Sequence, residues 1–165
     1  MASVPLFAVF FYTLHIVAGA DPCGRWTKLS SSCFLFSDFQ VSWPEALMVC
    51  KAFNSTLVSV DSYEKNLMLE GYLQIRHPHD SDKTTVRYWT GGNDIESEGN
   101  YYWIGTDQRL VYTNWNPGQP ESDIEDCLSM LGSTNFQWHD VNCNFKEYFI
   151  CEKPMELSTS PSIIG

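Results

Sequence analysis

Acidic and amide side chains crowd the stretch from Asn114 to Cys143, which holds Gln119-Pro120-Glu121, Glu125-Asp126-Cys127 and Trp138-His139-Asp140. Carboxylate and amide oxygens are hard donors, the kind of which Ca2+ gathers roughly six to eight. A merely solvated loop would also be rich in Asp and Glu, but it would have no reason to be framed by tryptophans and by a pair of cysteines. The stretch therefore points to a calcium-dependent binding site on a disulfide-pinned loop, with Ca2+ as the expected cofactor.

Other residue groupings carry less chemistry. His77-Pro78-His79-Asp80 offers metal-binding side chains, but Pro78 and the polar surroundings predict an exposed loop rather than a rigid ligand set. Ser, His and Asp are all present, yet no nucleophile-elbow or metalloprotease motif brings them together, so an enzyme is not expected. Asn54-Ser55-Thr56 is a glycosylation sequon, with Asn54 the acceptor, just past a predicted helix.

The elements that hold the loop must come from one domain. The first 20 residues lack any charged side chain, Leu6 to Val17 is nearly continuously apolar, and Ala18-Gly19-Ala20 has the small residues of a cleavage site. This reads as a secretory signal over 1–20, despite the missing basic n-region. The apolar run is shorter than the roughly 20 residues that cross a bilayer, so no membrane insertion and an extracellular, secreted protein are expected. The domain then spans 21–153, and the Ser/Thr/Pro-rich segment 154–165 is expected to be a disordered tail.

The formal net charge of −10 excludes nucleic acid and anionic membrane surfaces as natural partners. Six cysteines lie behind the signal: Cys23, Cys33, Cys50, Cys127, Cys143 and Cys151. An even number in a secreted chain implies a disulfide framework whose connectivity the sequence leaves open. No cysteine is left over for an intermolecular bridge and no coiled-coil stretch exists, so any oligomer would be non-covalent.

Along the chain, a Ser-rich turn between alternating apolar residues predicts a hairpin up to Phe36, which a Cys23–Cys33 bridge would staple. Ser42-Trp43-Pro44 begins a helix whose apolar face carries Ala46, Leu47, Val49, Cys50 and Phe53. A short strand is expected at Leu57–Val60. Asp61 or Ser62 caps a second helix to about Leu73, with Tyr63, Leu67, Met68 and Tyr72 as its core face. Further strands are predicted at Trp89–Gly92, Tyr101–Ile104, Leu110–Tyr112, Cys127–Leu131, Phe136–Trp138 and Glu147–Glu152.

Taken in order, these features resemble the C-type lectin domain family. The resemblance runs from Cys23 to about Lys153 and rests on Trp43 through Cys50, Trp89-Thr90-Gly91-Gly92, Glu98-Gly99, Asn114-Trp115, Gln119-Pro120-Glu121, Glu125-Asp126-Cys127, Trp138-His139-Asp140 and Phe149-Ile150-Cys151. It looks most like the small secreted, perlucin-like lectins of invertebrates. It implies an α+β double-loop fold with two helices, antiparallel sheets and the pairs Cys23–Cys33, Cys50–Cys151 and Cys127–Cys143.

By position, the resemblance assigns Gln119, Glu121, Glu125 and Asp140 to a primary calcium site, with Pro120 cis, and Asp94, Glu98 and Asp126 to an auxiliary one. The same primary residues, with His139, would contact carbohydrate. Two positions depart from the family pattern. Glu121 replaces a shorter Asn or Asp, and His139 replaces Asn, imidazole nitrogen being a poor partner for Ca2+. The amide-then-carboxylate order resembles the galactose type, although the loop Ser122-Asp123-Ile124 has no Trp to stack on the sugar. The implied function is calcium-dependent binding of microbial or cell-surface glycans in innate immunity. The alternative is a lectin-like protein acting through protein ligands, or as an acidic matrix or biomineral-associated protein.

Overall fold

In the computed structural model, residues 21–79, 83, 85–121 and 124–155 are described. The predicted signal segment, Asp80, Ser122, Asp123 and the tail from 156 onward lie outside them. The chain first forms a hairpin of β1 (Thr27–Leu29) and β2 (Ser32–Phe36), turning at Ser30 with a φ of 52°. Helix α1 (Trp43–Ala52) follows. Glu45 closes its first turn by accepting from both the backbone N–H and the hydroxyl of Ser42, at 2.8 and 2.6 Å. Pro44 sits in that same turn, where no N–H is required of it.

Helix α1 buries Trp43, Ala46 and Cys50, but Phe53 ends up exposed at the C-cap, off the predicted core face. The turn beyond it places Asn54 in the left-handed region with φ 51° and leaves it exposed. Strand β3 (Thr56–Leu57) is shorter than predicted because its pairing with β9 covers only those two residues.

Helix α2 (Tyr63–Arg76) starts at Ser62, whose hydroxyl accepts from the Lys65 N–H, and it runs three residues beyond the predicted end. Its buried face is Asn66, Leu69 and Leu73, with Met68 and Tyr72 half-buried beside it. Tyr63 and Leu67, expected in the core, are exposed. The helix carries apolar residues on more than one side, so periodicity alone could not select the face that packs.

The sheet is mixed. β4 (Arg87–Asn93), β5 (Tyr102–Trp103), β6 (Gln108–Arg109), β7 (Cys127–Leu131), β8 (Gln137–Val141) and β9 (Tyr148–Pro154) complete nine strands among the described residues. Most pairs are antiparallel, as expected, but β4 and β9 run parallel through Tyr88↔Tyr148 and Trp89↔Phe149. The predicted strand Leu110–Tyr112 is absent: the hairpin partner of β5 is Gln108–Arg109, and Val111 points to solvent. β9 runs to Pro154, which pairs with Ser32 of β2.

Two apolar cores flank the sheet. One gathers Phe34, Leu69, Leu73, Tyr88, Trp103, Leu128, Met130 and Trp138 against α2. The other gathers Trp43, Ala46, Cys50, Leu57, Trp89 and Phe149 against α1. Fully burying a side chain of the size of Leu contributes about 1.5–3 kcal/mol, so these layers dominate stability. Gly91 in β4 is required where backbones nearly touch, since a Cβ there would lie 2.9 Å from the Leu57 carbonyl oxygen. The disulfides are Cys23–Cys33, Cys50–Cys151 and Cys127–Cys143, the connectivity that the resemblance implied.

Candidate functional site

The site is assembled on the end of the β7–β8 ladder. Cys127 pairs with Val141 and Leu128 with Asp140, and the Cys127–Cys143 bridge fastens this end with Cα atoms 5.2 Å apart. Along β8, Trp138 faces the α2 core and Val141 the α1 core, so Asp140 leaves the strand on the Trp138 side and His139 on the Val141 side.

The segment 114–121 is laid onto β8 by a short parallel bridge. Trp138 N–H donates to Asn114 O and Asn116 N–H to Trp138 O, both at 2.9 Å. Aromatic rings lock the arrangement: Trp115 meets Trp138 at 5.8 Å and Tyr101 at 4.9 Å, edge-on in both cases. The Trp138 indole N–H donates to Asn66 Oδ1 on α2 at 3.0 Å. The Asn66 amide in turn donates to Glu70 at 2.7 Å, and Glu70 accepts a second bond from Asn114 at 2.9 Å. A closed polar circuit thus ties α2, β8 and the site segment together. Neither Asn66 nor Glu70 stood out in the sequence, because nothing local marks a helical Asn as the partner of a tryptophan 72 residues away.

Within the site, the Gln119–Pro120 peptide is cis, as the resemblance implied. Gln119 Oε1 accepts from the Asp140 N–H at 3.0 Å, and the Glu121 N–H donates to Asp140 Oδ2 at 3.0 Å. Asp140 is 4% exposed and is the point onto which the triplet folds. Glu125 stands close enough for the Asp140 and Glu121 charges to act on it. Burial first, and then these two like charges, push its carboxyl above the ordinary range.

The other acidic group lies alongside. The Asp94 N–H donates to the Asp126 carbonyl at 3.1 Å, and Asp94 Oδ2 accepts from the Gly99 N–H at 2.8 Å, closing the turn that carries Glu98. Burial, with Asp126 and Asp140 nearby, raises the Asp94 carboxyl. Tyr101 stands between the two groups. Burial and the charges of Asp94, Asp140 and Glu98 drive its phenol far above the usual range, so it stays neutral.

His139 takes a different position. Its Nε2 lies 3.2 Å from Thr134 Oγ1. Burial and the nearby Arg87 guanidinium lower its pKa, against a smaller pull from Asp140 and Glu121. His77, expected in an exposed loop, is half-buried, with Nε2 2.9 Å from the Tyr88 hydroxyl.

The donors suit a hard divalent cation in kind, since all are carboxylate or amide oxygens. The like charges raising Glu125 and Asp94 also mark a cluster that a cation would relieve. Their arrangement is open, however: among the described residues no three His, Cys, Asp or Glu side chains converge as a metal site. Holding an ion would require the primary carboxylates to draw together around Asp140.

Comparisons with known proteins agree with this architecture. The family profile described as "Lectin C-type domain" matches residues 39–153. Perlucin of Haliotis laevigata is 35% identical over 127 residues, covering 74% of this chain and 76% of that protein. The hepatic lectin of Gallus gallus is 33% identical over 141 residues, covering 81% of this chain, which spans only 62% of that protein's length. Among solved structures, the mouse scavenger receptor C-type lectin carbohydrate-recognition domain superposes with a TM-score of 0.67 at 28% identity, covering 80% of this chain and 95% of that one.

Proposed function

This chain belongs to the C-type lectin domain family, a family of binding modules rather than enzymes, and on that premise we propose that it is a secreted protein that binds glycans through calcium. Gln119, Glu121, Glu125 and Asp140 would hold the primary ion, and Asp94, Glu98 and Asp126 an auxiliary one. The ion supplies a Lewis-acidic centre to which vicinal sugar hydroxyls bind. The chain's own contribution is orientation. Carboxylate oxygens of Glu121 and Glu125 accept sugar O–H bonds, and charge-assisted bonds of this kind are the stronger sort.

The observation that carries the reading is the double latch on Asp140. Gln119 and Glu121, flanking Pro120, are both hydrogen-bonded to that one buried residue. With Gln119 Oε1 engaged by the Asp140 N–H, its amide NH2 is the group left to donate to a sugar oxygen. Amide donor first and carboxylate acceptor third supports galactose-type or broad specificity. His139 is set apart from the calcium ligands, because its Nε2 lies 3.2 Å from Thr134 Oγ1 and its ring leaves β8 on the face opposite Asp140; a role in glycan contact rests on the resemblance alone. Microbial or cell-surface glycans in innate immunity are the proposed targets.

A second reading is a lectin-like domain acting through protein ligands, or as an acidic matrix or mineral-associated protein. The open arrangement of the carboxylates among the described residues favours it. A glycan array probed with Ca2+ and again with EDTA separates the two. Calcium-dependent signal displaced by free galactose supports the first reading, and silence in both conditions overturns it.

A further inference from the structure

The sequon Asn54-Ser55-Thr56 is a motif that the calcium site leaves unused, and it lies on the turn that ends α1. The Phe53 and Ser55 N–H groups both donate to the Cys50 carbonyl, at 3.0 and 3.1 Å, and the Asn54 N–H donates to the Lys51 carbonyl at 3.0 Å. The Ser55 hydroxyl donates to the Cys50 carbonyl at 2.6 Å. Thr56 opens β3 and covers Gly105, where a Cβ would lie 2.6 Å from its Cγ2. Both residues are thus held by the fold. Asn54 differs. Its φ of 51° favours Gly, Asn or Asp, which explains a small residue there but not an amide. That amide is exposed, and among the described residues it makes no hydrogen bond.

Next to it in the chain stands an aromatic ring that neither core uses. Phe53, at the C-cap, is 53% exposed, and its ring meets Trp26 edge-on at 6.2 Å. Lys153 holds its ammonium 4.8 Å from the centre of the Trp26 ring, so Trp26 is covered while more than half of Phe53 faces water. The carbon-bound hydrogens of a pyranose form an apolar face, and covering Phe53 with it removes apolar surface from water. The position also suits a bulky group. The other end of α1 adjoins the calcium loop, where the Trp43 N–H donates to the Cys143 carbonyl at 3.0 Å. Asn54 lies beyond the far end of this ten-residue helix, about 15 Å along it.

We propose that Asn54 carries an N-linked glycan whose first sugar packs on the exposed Phe53 ring. The assignment rests on the secreted reading above, since the glycan donor belongs to the secretory pathway. That donor is an oligosaccharide linked to a lipid diphosphate. Asn54 Nδ2 attacks C1 of its first sugar, so the C1–Nδ2 bond forms and the C1–O bond to the diphosphate breaks. The amide loses one proton, the lipid diphosphate leaves, and nothing is oxidised or reduced. Ser55 is not proline and Thr56 supplies the hydroxyl two positions on, as the transfer requires. Folding then closes the turn with the modified amide directed to solvent.

For the test, the full chain is expressed in a eukaryotic cell behind its own N-terminus, and again with a proven secretory leader ahead of Met1. A mannosidase inhibitor keeps any glycan in the high-mannose form. One gel shift, removed by peptide-N-glycosidase and absent from Asn54→Asp, is expected; Asp tolerates the left-handed turn, so this variant keeps the fold. Trimming to a single sugar with endoglycosidase H should leave Tm unchanged, whereas complete removal should lower it by about 2–4 °C. In Phe53→Ser, complete removal should shift Tm by less than about 1 °C. No shift behind the supplied leader would overturn the site. A Tm that ignores complete removal, that already falls on trimming, or that falls equally in Phe53→Ser would overturn the packing on Phe53. A chain retained in the cell behind its own N-terminus, yet glycosylated behind the supplied leader, would overturn the secreted reading and uphold the site. Asn54 belongs to neither proposed calcium set, so the calcium-dependent glycan signal of Asn54→Asp reports separately on the lectin reading.

Discussion

Replacing Glu70 tests how much the circuit joining α2 to the site segment contributes to stability. In Glu70→Ala, the amides of Asn66 and Asn114 lose a charged acceptor at 2.7 and 2.9 Å. Asn66 is 1% exposed, so water cannot replace the acceptor there, whereas Asn114 is half-buried and partly compensated by solvent. An unsatisfied buried donor costs about 1–3 kcal/mol, and a bond to a charged group contributes about 1.5–3 kcal/mol. Relief of the buried carboxylate offsets part of this, because burial already raises the Glu70 carboxyl above its ordinary range. The net loss is about 2–3 kcal/mol, or roughly a 5–10 °C fall in Tm for a domain of this size.

Glu70→Gln keeps an accepting oxygen for both amides and should stay within about 1 kcal/mol of the parent. The pH dependence follows with a definite sign. Glu70's folded pKa is raised, so between its unfolded and folded values the native state binds more protons. Stability therefore falls as pH rises through that window, and Gln removes this component. Thermal melts of the three proteins across that range are the assay. An Ala variant within about 0.5 kcal/mol of the parent, or a Gln variant as damaged as Ala, would refute the circuit's importance.

The remaining expectations concern the ion, the clamp and the sheet. Calcium at 100 times its Kd should add about 2.7 kcal/mol to unfolding stability, and melts of Glu125→Gln and Asp140→Asn should show that gain reduced or lost. Replacing Cys127 and Cys143 together by Ala opens a loop with a sequence separation of 16. It should cost about 3 kcal/mol, against about 4.7 kcal/mol for Cys50 and Cys151, as read by denaturant titration. Gly91→Ala places a Cβ 2.9 Å from a backbone oxygen that has no room to yield, and calorimetric melting should show about 1–3 kcal/mol of destabilisation.

Much of the architecture was legible because its signals are local. Ser42-Trp43-Pro44-Glu45 contains the cap, the proline and the carboxylate of one helix start within four residues. Cys127–Leu131 reads as a strand and is one, with the predicted ends. Elsewhere the local signal was ambiguous. Leu110-Val111-Tyr112 has strand-forming residues, but only the Leu110 N–H reaches back to the hairpin, at the Tyr101 carbonyl, since β5 pairs with Gln108–Arg109 instead. The acidic residues of the site could be named from type and order, yet their relations could not. Gln119 and Asp140 are 21 positions apart, and only the folded β8 brings them within a hydrogen bond.

By itself, then, the sequence determined the residue inventory: hard oxygen donors around Pro120, six cysteines, capped helix starts and enough aromatic residues for two cores. Tertiary structure decided which of these meet. It turned Asn66, Leu69 and Leu73 inward and left Tyr63 and Leu67 in solvent. It made β4 and β9 parallel neighbours and set His139 and Asp140 on opposite faces of one strand. The physical reason is that periodicity and capping act over one or two turns of chain. Packing selects among faces and partners by burying area and satisfying polar groups across tens of residues, information that no local window contains.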